Sequence, residues 1–294
     1  MIARSLLGIL GAVLLASCGS GEAAPDTVVG RPALWEITSD TGEVEGWLFG
    51  TVHALPPELQ WRSEEFDRIA SAADLLVVEV AGLDDRAAME RQFRALAYDN
   101  PPDIPLYARL DPARRDRLRE VLAREGASDA AFDSMESWAA ALALAEYGRQ
   151  HSPANGADKV MLGEFASREI FELEGTGPQL RIFDGLPEKE QRDLLAAIID
   201  EISRKEAERA DLAEIWASGD LARLERITRE GMLADPELRE ALLDGRNRAW
   251  AGQIENLLTA APRPLIAVGA GHLLGEDGVP ALLSARGYEL RRVQ

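Results

Sequence analysis

Cysteine and histidine are the scarcest chemically active residues of this chain, which has one cysteine and three histidines among 294 residues. Because Cys18 is the sole cysteine, no intramolecular disulfide can form, and an exported domain would rely on its hydrophobic core. A thiolate zinc site and a cysteine nucleophile are excluded for the same reason. The remaining nitrogen ligands or bases are His53, His151 and His272.

Basic residues are also far fewer than acidic residues. The chain has 32 Lys and Arg against 51 Asp and Glu, which gives a formal net charge of −19 at pH 7. Such a chain repels phosphate backbones and anionic lipid headgroups, so no nucleic-acid partner is expected. Its length is sufficient to bury a sizeable core as one domain, or as one domain with an insertion.

The first apolar run, Leu6 to Ala16, is shorter than the roughly 20 residues that a membrane-spanning helix needs. One positive charge at Arg4 precedes it, and Leu15-Ala16-Ser17-Cys18 ends it, which resembles a lipobox. The order of these features predicts a lipoprotein signal peptide over residues 1–17 and lipidation of Cys18. The alternative is an ordinary cleaved signal in which Cys18 is incidental.

Residues 18–31 are rich in Gly, Ala, Pro and Ser, so we expect a flexible tether after the lipidated cysteine. The folded domain then covers residues 32–294. Gly19 rather than Asp follows Cys18, which resembles sorting to the outer membrane. A membrane lipoprotein that faces the periplasm, held by its lipid chains, is therefore the expected location.

Alternating apolar segments and charged amphipathic segments predict an α/β fold. Asp-Pro pairs at 111–112 and 235–236 are typical of helix starts. We expect a central mixed β-sheet formed from both ends of the chain, with a large helical insertion at about 84–150 and 187–260. The predicted strands are residues 34–38, 44–52, 74–80, 169–174, 264–268 and 288–293.

Two Gly-x-x-His motifs, Gly50-Thr-Val-His53 and Gly269-Ala-Gly-His272, each follow an apolar strand. A glycine at a strand end lets the backbone turn sharply or approach a ligand closely. Each histidine then stands at the carboxyl edge of the sheet, where open α/β folds bind ligands. Two imidazoles at such an edge can share a metal ion. The alternative is a pair of turn histidines bonded to backbone groups.

Four charged residues are further candidates. Glu79 interrupts the apolar run Leu75 to Val80, where an acid is costly to bury unless it is paired, protonated or bound to metal. Alternatively, Glu79 lies at the exposed end of its strand or forms an ion pair with an arginine. Glu174 fits the same pattern, whereas Asp158 could equally be a helix N-cap. Arg246 could hold an anion or a carbonyl oxygen, or lie on a solvated helix face.

These motifs, taken in order, resemble the TraB/GumN family, which is related to the TIKI proteases. The matching blocks are Pro32 to Ile37, Leu48 to Pro56 with Trp61 to Ser63, Leu75 to Val80, Gly156 to Asp158, Leu173-Glu174 with Gln179 to Asp184, Arg246-Asn247 with Trp250, and Val268 to Gly275 with Gly278, Gly287 and Tyr288. One departure is Gly175, which stands where the family usually has threonine after Leu-Glu.

The resemblance implies a TIKI-like or erythromycin-esterase-like fold and a metal-dependent peptidase site, with manganese or cobalt favoured and zinc a further candidate. His53 and His272 would hold the metal, and Glu79 or Glu174 would complete the site while the other accepts a proton. Arg246 would stabilise the developing oxyanion. Gly50, Gly269, Asp158, Asn247 and Gln179 would serve as structural or binding residues.

The sequence thus predicts a metal-dependent, peptidase-like hydrolase anchored as an envelope lipoprotein, acting on a peptide or a small molecule. One alternative is a non-catalytic lipoprotein that binds a metal or another ligand, with no coordination position left open for water. Another is a structural envelope protein that uses the helical insertion as a partner surface.

The lipid anchor gives the first testable prediction. Cys18→Ser removes the thiol that would carry the lipid, so the mutant protein should leave the membrane fraction and lose incorporation of radiolabelled fatty acid. Ser17→Ala, which keeps both the small residue and the cysteine, is the matched control and should stay membrane-bound. Fatty-acid labelling of the Cys18→Ser protein would contradict the assignment.

Overall fold

The computed structural model describes residues 29–83, 85–149, 151–204, 212–260 and 262–294. The predicted signal peptide, Cys18 and most of the predicted tether lie outside the described residues. Within those ranges, no helix is both long and apolar enough to cross a membrane.

The described strands form one six-stranded mixed sheet in the order β4-β3-β5-β2-β1-β6. Strands β4, β3, β5 and β2 are parallel, whereas β1 runs antiparallel to both β2 and β6. The strands are β1 Leu34–Thr38, β2 Val44–Thr51, β3 Leu75–Val78, β4 Glu169–Glu172, β5 Pro264–Gly269 and β6 Glu289–Arg292. The predicted α/β class and mixed sheet are confirmed, with β4 contributed by the middle of the chain.

Both faces of the sheet are buried, which explains its continuous apolar strands. In β3, Leu76 and Val78 pack into the core on one face, while Leu75 and Val77 pack into the core on the other. A strand's side chains alternate between faces, so an uninterrupted run of four apolar residues requires a covering layer on each side. One of these layers contains the helix Gly245–Leu258, through Ile254 and other residues.

In the sequence, most of the helices lie between β3 and β5. They are α1 Glu64–Ala72, α2 Arg86–Ala97, α3 Pro112–Glu125, α4 Ser137–Ala145, α5 Ala157–Glu164, α6 Thr176–Asp184, α7 Glu188–Ile202, α8 Leu212–Ser218, α9 Leu221–Glu230, α10 Pro236–Arg239, α11 Gly245–Leu258 and α12 Val279–Ser284. Several helices of the insertion share a separate core around the fully buried Trp138, which accounts for the apolar positions of this acidic segment. As predicted, Asp111 and Asp235 cap α3 and α10.

The helices depart from the sequence pattern in two places. Within the helical insertion predicted at about 187–260, the amphipathic stretch from Leu212 to Gly231 does not form one helix; it divides into α8 and α9 at Gly219. Gly219 has a φ of +68°, a left-handed conformation that ends a helix and favours glycine. Helix α6 was not predicted at all; it begins after Gly175, which has a φ of +83° and so suits glycine better than the threonine of the family pattern.

The register of the parallel strands brings the sequence motifs together. Thr51 pairs with Gly269, and Val78 pairs with Ala267 on the other side of β5. Val78 also pairs with Glu172 of β4. The segments that follow β2, β3, β4 and β5 therefore leave the sheet at the same edge, which is where an open α/β fold places its ligand site.

Gly50 generates a prediction about stability. A Cβ at this position would lie 2.8 Å from Leu273 Cδ1 and 3.2 Å from Ala270 Cβ, so Gly50→Ala forces apart β2 and the turn that carries His272. We expect a loss of about 1–3 kcal/mol in the free energy of unfolding, measured in urea. Gly252→Ala in α11 meets open space and should stabilise the protein by about 0.5–1 kcal/mol. Unchanged stability of Gly50→Ala would contradict the close packing.

Candidate functional site

Four segments deliver charged or imidazole side chains to the carboxyl edge of the sheet. Glu79 follows β3, Glu174 lies two residues after β4, and His272 belongs to a 3₁₀ turn, Ala270–Leu273, that follows β5. Helix α11 supplies Arg246 from across this edge. The structure brings these four sequence-predicted residues into one buried cluster.

Arg246 lies at the centre of this cluster and directs every N–H at an acceptor. Its Nε and Nη2 donate to the two carboxylate oxygens of Glu174, at 2.8 and 2.9 Å. Nη2 also donates to Glu79 Oε2 at 2.7 Å. Nη1 donates to the Leu242 carbonyl at 2.9 Å and to His272 Nε2 at 3.1 Å. A guanidinium has five N–H groups, so Arg246 can bind a further oxygen only by exchanging one of these bonds.

A π-helical turn, Glu240–Asp244, separates α10 from α11 and ends two residues before Arg246. In this turn the N–H of Gly245 bonds to the carbonyl of Glu240, five residues back, which shifts the helical register. A Cβ on Gly245 would lie 2.9 Å from that carbonyl oxygen, so the turn favours glycine there. After the turn, the Arg246 side chain is 12% exposed and that of Arg248 is 49% exposed.

Glu79 is buried and accepts hydrogen bonds on both oxygens. Oε1 accepts the N–H of Gly269 at 2.7 Å, and Oε2 accepts Gln179 Nε2 at 3.3 Å. A Cβ on Gly269 would lie 3.1 Å from Oε1, so glycine permits this close approach. Burial acts to raise the pKa of Glu79, but nearby positive charge and the Gly269 N–H outweigh it and lower the pKa. Because His272 is neutral at pH 7, Arg246 supplies most of that charge, and His53 makes a smaller contribution.

His272 is buried in its neutral form. Its Nδ1 lies 2.6 Å from Asn247 Oδ1, and the Asn247 amide nitrogen donates to the Asp277 carbonyl at 2.8 Å, which fixes the amide orientation. Nδ1 therefore carries the proton, and Nε2 accepts from Arg246; these assignments follow from the hydrogen-bond network. Burial lowers the pKa of His272 to about 3.

Trp250 forms one wall of the cluster. It is 1% exposed and belongs to the core. Its indole N–H also donates to Glu174 Oε1 at 3.0 Å, and the Arg246 guanidinium lies 4.6 Å from its ring centroid. No sequence pattern predicts the indole bond, although the four-residue spacing of Arg246 and Trp250 puts them on one helix face.

His53 has the opposite environment, because its side chain is 72% exposed. Its Nδ1 lies 2.6 Å from Asp158 Oδ2, and this hydrogen bond favours the imidazolium and raises the pKa of His53. The N–H of Ala157 bonds to the Val52 carbonyl at 2.9 Å, which fastens the start of α5 beside His53. Gly156, not Asp158, is the N-cap residue of α5, so the N-cap alternative for Asp158 was wrong.

A sequence model of the TraB/PrgY/gumN family matches residues 33–292, nearly the whole chain. The chain belongs to the TraB/PrgY/gumN family. No curated protein and no solved structure gave a significant match.

The described arrangement of this TraB/PrgY/gumN protein does not fit a divalent metal ion. In the ranges that the structure describes, no three His, Cys, Asp or Glu side chains are grouped so as to hold one. The guanidinium of Arg246 stands between the expected ligands and bonds to both His272 Nε2 and Glu79 Oε2. An ion at those atoms would adjoin a like charge, so binding requires Arg246 to release them.

The two histidines of this TraB/PrgY/gumN protein should differ sharply in an NMR titration. His53 should change charge above the ordinary histidine pKa near 6.5, whereas His272 should stay neutral down to strongly acid pH. Asp158→Asn should lower the titration midpoint of His53 and leave His272 unaffected. Titration of His272 near 6.5 would contradict the buried, Asn247-bonded tautomer.

Proposed function

We propose that the protein is a hydrolase that cleaves a peptide or a small carbonyl compound at the carboxyl edge of the sheet, with His53 as general base. The observation that supports this most is the exposed His53 imidazole held 2.6 Å from the largely buried carboxylate of Asp158. A base must reach both water and substrate, and its orientation must be fixed. His53 meets both conditions, whereas His272 is buried and already bonded through both nitrogens.

The proposed reaction begins with a water molecule that donates a proton to His53 Nε2 while its oxygen attacks the substrate carbonyl carbon. Asp158 accepts the Nδ1 hydrogen, keeps Nε2 free of its proton and stabilises the imidazolium that forms. Collapse of the tetrahedral intermediate breaks the bond to the leaving nitrogen or oxygen. His53 returns its proton to that leaving atom, so the base is regenerated.

The buried cluster would support this chemistry through its charge. The carboxylate of Glu79 acts to raise the pKa of His53, and so stabilises the imidazolium formed during the reaction. Arg246 opposes this effect but keeps Glu79 ionised and in place. Arg246 would serve as an oxyanion donor, the role implied by the family resemblance, after exchanging one of its present acceptors.

A divalent metal ion, with manganese or cobalt favoured, stays a prediction from the family resemblance, and it is not part of the mechanism proposed above. His53, His272 and Glu79 are the residues that the resemblance assigns to it, and Glu174 is the fourth candidate. Since Arg246 bonds to His272, Glu79 and Glu174, no step above is assigned to a metal.

For its location, we propose a lipoprotein tethered through Cys18 to a membrane on its periplasmic side, most simply the outer membrane. The tether over residues 18–31 would hold the domain near that surface while the net charge of −19 keeps it off anionic headgroups. A substrate of the envelope, such as a peptide, would then be within reach.

A non-catalytic ligand-binding lipoprotein is the second candidate. The observation that favours it is the complete use of the Arg246 donors and of both His272 nitrogens, because a saturated cluster is typical of a structural network. In that case His53 and Asp158 would recognise a ligand without turning it over.

His53→Ala separates these candidates. If His53 is the general base, turnover of a fluorescence-quenched peptide panel by the wild-type protein should fall about 10²–10⁴-fold in the mutant protein. His151→Ala changes a histidine outside the contacts described above, and its turnover should match that of the wild type. Hydrolysis that survives in His53→Ala would exclude this mechanism.

Asp158→Asn tests the pairing of His53 with Asp158 through the pH dependence of the hydrolysis rate. His53 acts as a base only when neutral, so the wild-type rate should fall as pH drops through its raised pKa. Loss of the carboxylate lowers that pKa, so the acid limb of kcat/KM should move to lower pH while kcat decreases. An acid limb that does not move would show that another group controls it.

A further inference from the structure

The buried cluster combines an unusual number of strong acceptors around a single cation. Four acceptor atoms from three side chains converge on Arg246: both oxygens of Glu174, Oε2 of Glu79 and Nε2 of His272, at 2.7 to 3.1 Å. Two carboxylates and one neutral imidazole are a ligand set that divalent zinc and manganese accept.

We infer that the Arg246 guanidinium acts as a built-in cation that fills a latent divalent-metal site formed by Glu79, Glu174 and His272 and keeps the native cluster metal-free. This inference concerns the cluster alone and holds whether or not His53 supports hydrolysis.

Residues around the cluster orient its acceptor atoms through hydrogen bonds, as the neighbours of metal ligands do in metal sites. His272 Nδ1 is held by Asn247, so its Nε2 lone pair faces the guanidinium, as in metal sites where a second residue orients the imidazole. The Gly269 N–H fixes Oε1 of Glu79, and the Trp250 indole fixes Oε1 of Glu174. These partners orient the three side chains independently of Arg246; with the guanidinium between them, the three described side chains are not grouped so as to hold an ion.

Charge explains why Arg246 excludes an ion. Two carboxylates and one guanidinium leave a net charge of −1 in the cluster, because His272 donates through Nδ1 to Asn247 and accepts through Nε2 from Arg246 and so adds no charge. The guanidinium thus already neutralises half of the negative charge. Metal–ligand distances are about 2.0–2.2 Å for nitrogen and carboxylate oxygen, shorter than the present hydrogen bonds. An ion therefore cannot share these atoms with the guanidinium, because the two cations would occupy the same space.

The test is metal uptake by the full chain, measured without any substrate. Wild type, Arg246→Ala, Arg246→Lys and Arg248→Ala are each incubated with manganese, cobalt or zinc, dialysed and submitted to elemental analysis. We expect one ion per chain in Arg246→Ala only. Arg246→Lys keeps a cation in place, and Arg248 pairs with Glu240 at the surface, so both should match the metal-free wild type.

Two further variants identify the ligands. Adding Glu79→Gln or His272→Ala to Arg246→Ala should abolish metal uptake. Stoichiometric metal in the wild-type protein, lost on His272→Ala, would overturn the inference, because Arg246 would then yield to an ion. A folded Arg246→Ala protein that takes up no metal would also overturn it.

Arg246→Ala leaves two buried carboxylates without a counterion, and the protein could unfold. Near-UV circular dichroism with and without zinc covers this case. The inference predicts that zinc restores the wild-type spectrum, since the ion replaces the missing charge; a spectrum that zinc leaves unfolded contradicts it. Failure to hydrolyse any peptide has no bearing on these measurements, so the two proposals fail separately.

Discussion

The ion pairs of Arg246 with Glu79 and Glu174 are the interaction on which the rest of the site depends. Three side chains that are each 11–12% exposed carry formal charges at the end of a parallel sheet. Desolvating such groups costs several kcal/mol each, and this cost is offset only where every donor and acceptor finds a partner. Removal of one partner from a buried pair therefore costs about 3–5 kcal/mol.

Several local features of the backbone serve this arrangement. Gly269 allows its N–H to approach Glu79, and the π-turn with Gly245 sets the register in which Arg246 enters the cluster. Gly175, with its positive φ, donates its N–H to the Glu79 carbonyl and joins the end of β3 to the start of α6. Each glycine is thus tied to a specific close contact or backbone angle, and the three together fix the cluster's geometry.

Much of this could be predicted from the sequence. Apolar strands followed by Gly-x-x-His place His53 and His272 at the same sheet edge, because parallel strands end together. An acid inside the β3 run predicts a buried partner, and an arginine was among the alternatives for Glu79. The structure supplies that arginine as Arg246.

Other parts of the site could not be predicted, for physical reasons. The partners His53 and Asp158 are 105 residues apart, and only the packing of α5 against the loop after β2 brings them together. The π-turn could not be recognised as a periodicity, since its five residues, Glu240 to Asp244, are too few to define one. Similarly, nothing in the two matching motifs indicates that one imidazole is exposed and the other buried.

The difference in burial between His53 and His272 would give the two residues different roles. Burial outweighs the effect of the Glu79 carboxylate, whose Oε1 lies 3.9 Å from His272 Nε2, and lowers the pKa of His272, so the neutral ring serves as a fixed acceptor for Arg246 and adds no charge to the cluster. The carboxylate of Asp158 favours the imidazolium of His53 and raises its pKa, so that ring can take up and release a proton while exposed to solvent. Were His272 to become charged, it would compete with Arg246 for Glu79 and reduce the negative field that stabilises protonated His53. The neutrality of the buried ring thus maintains the basicity of the exposed one.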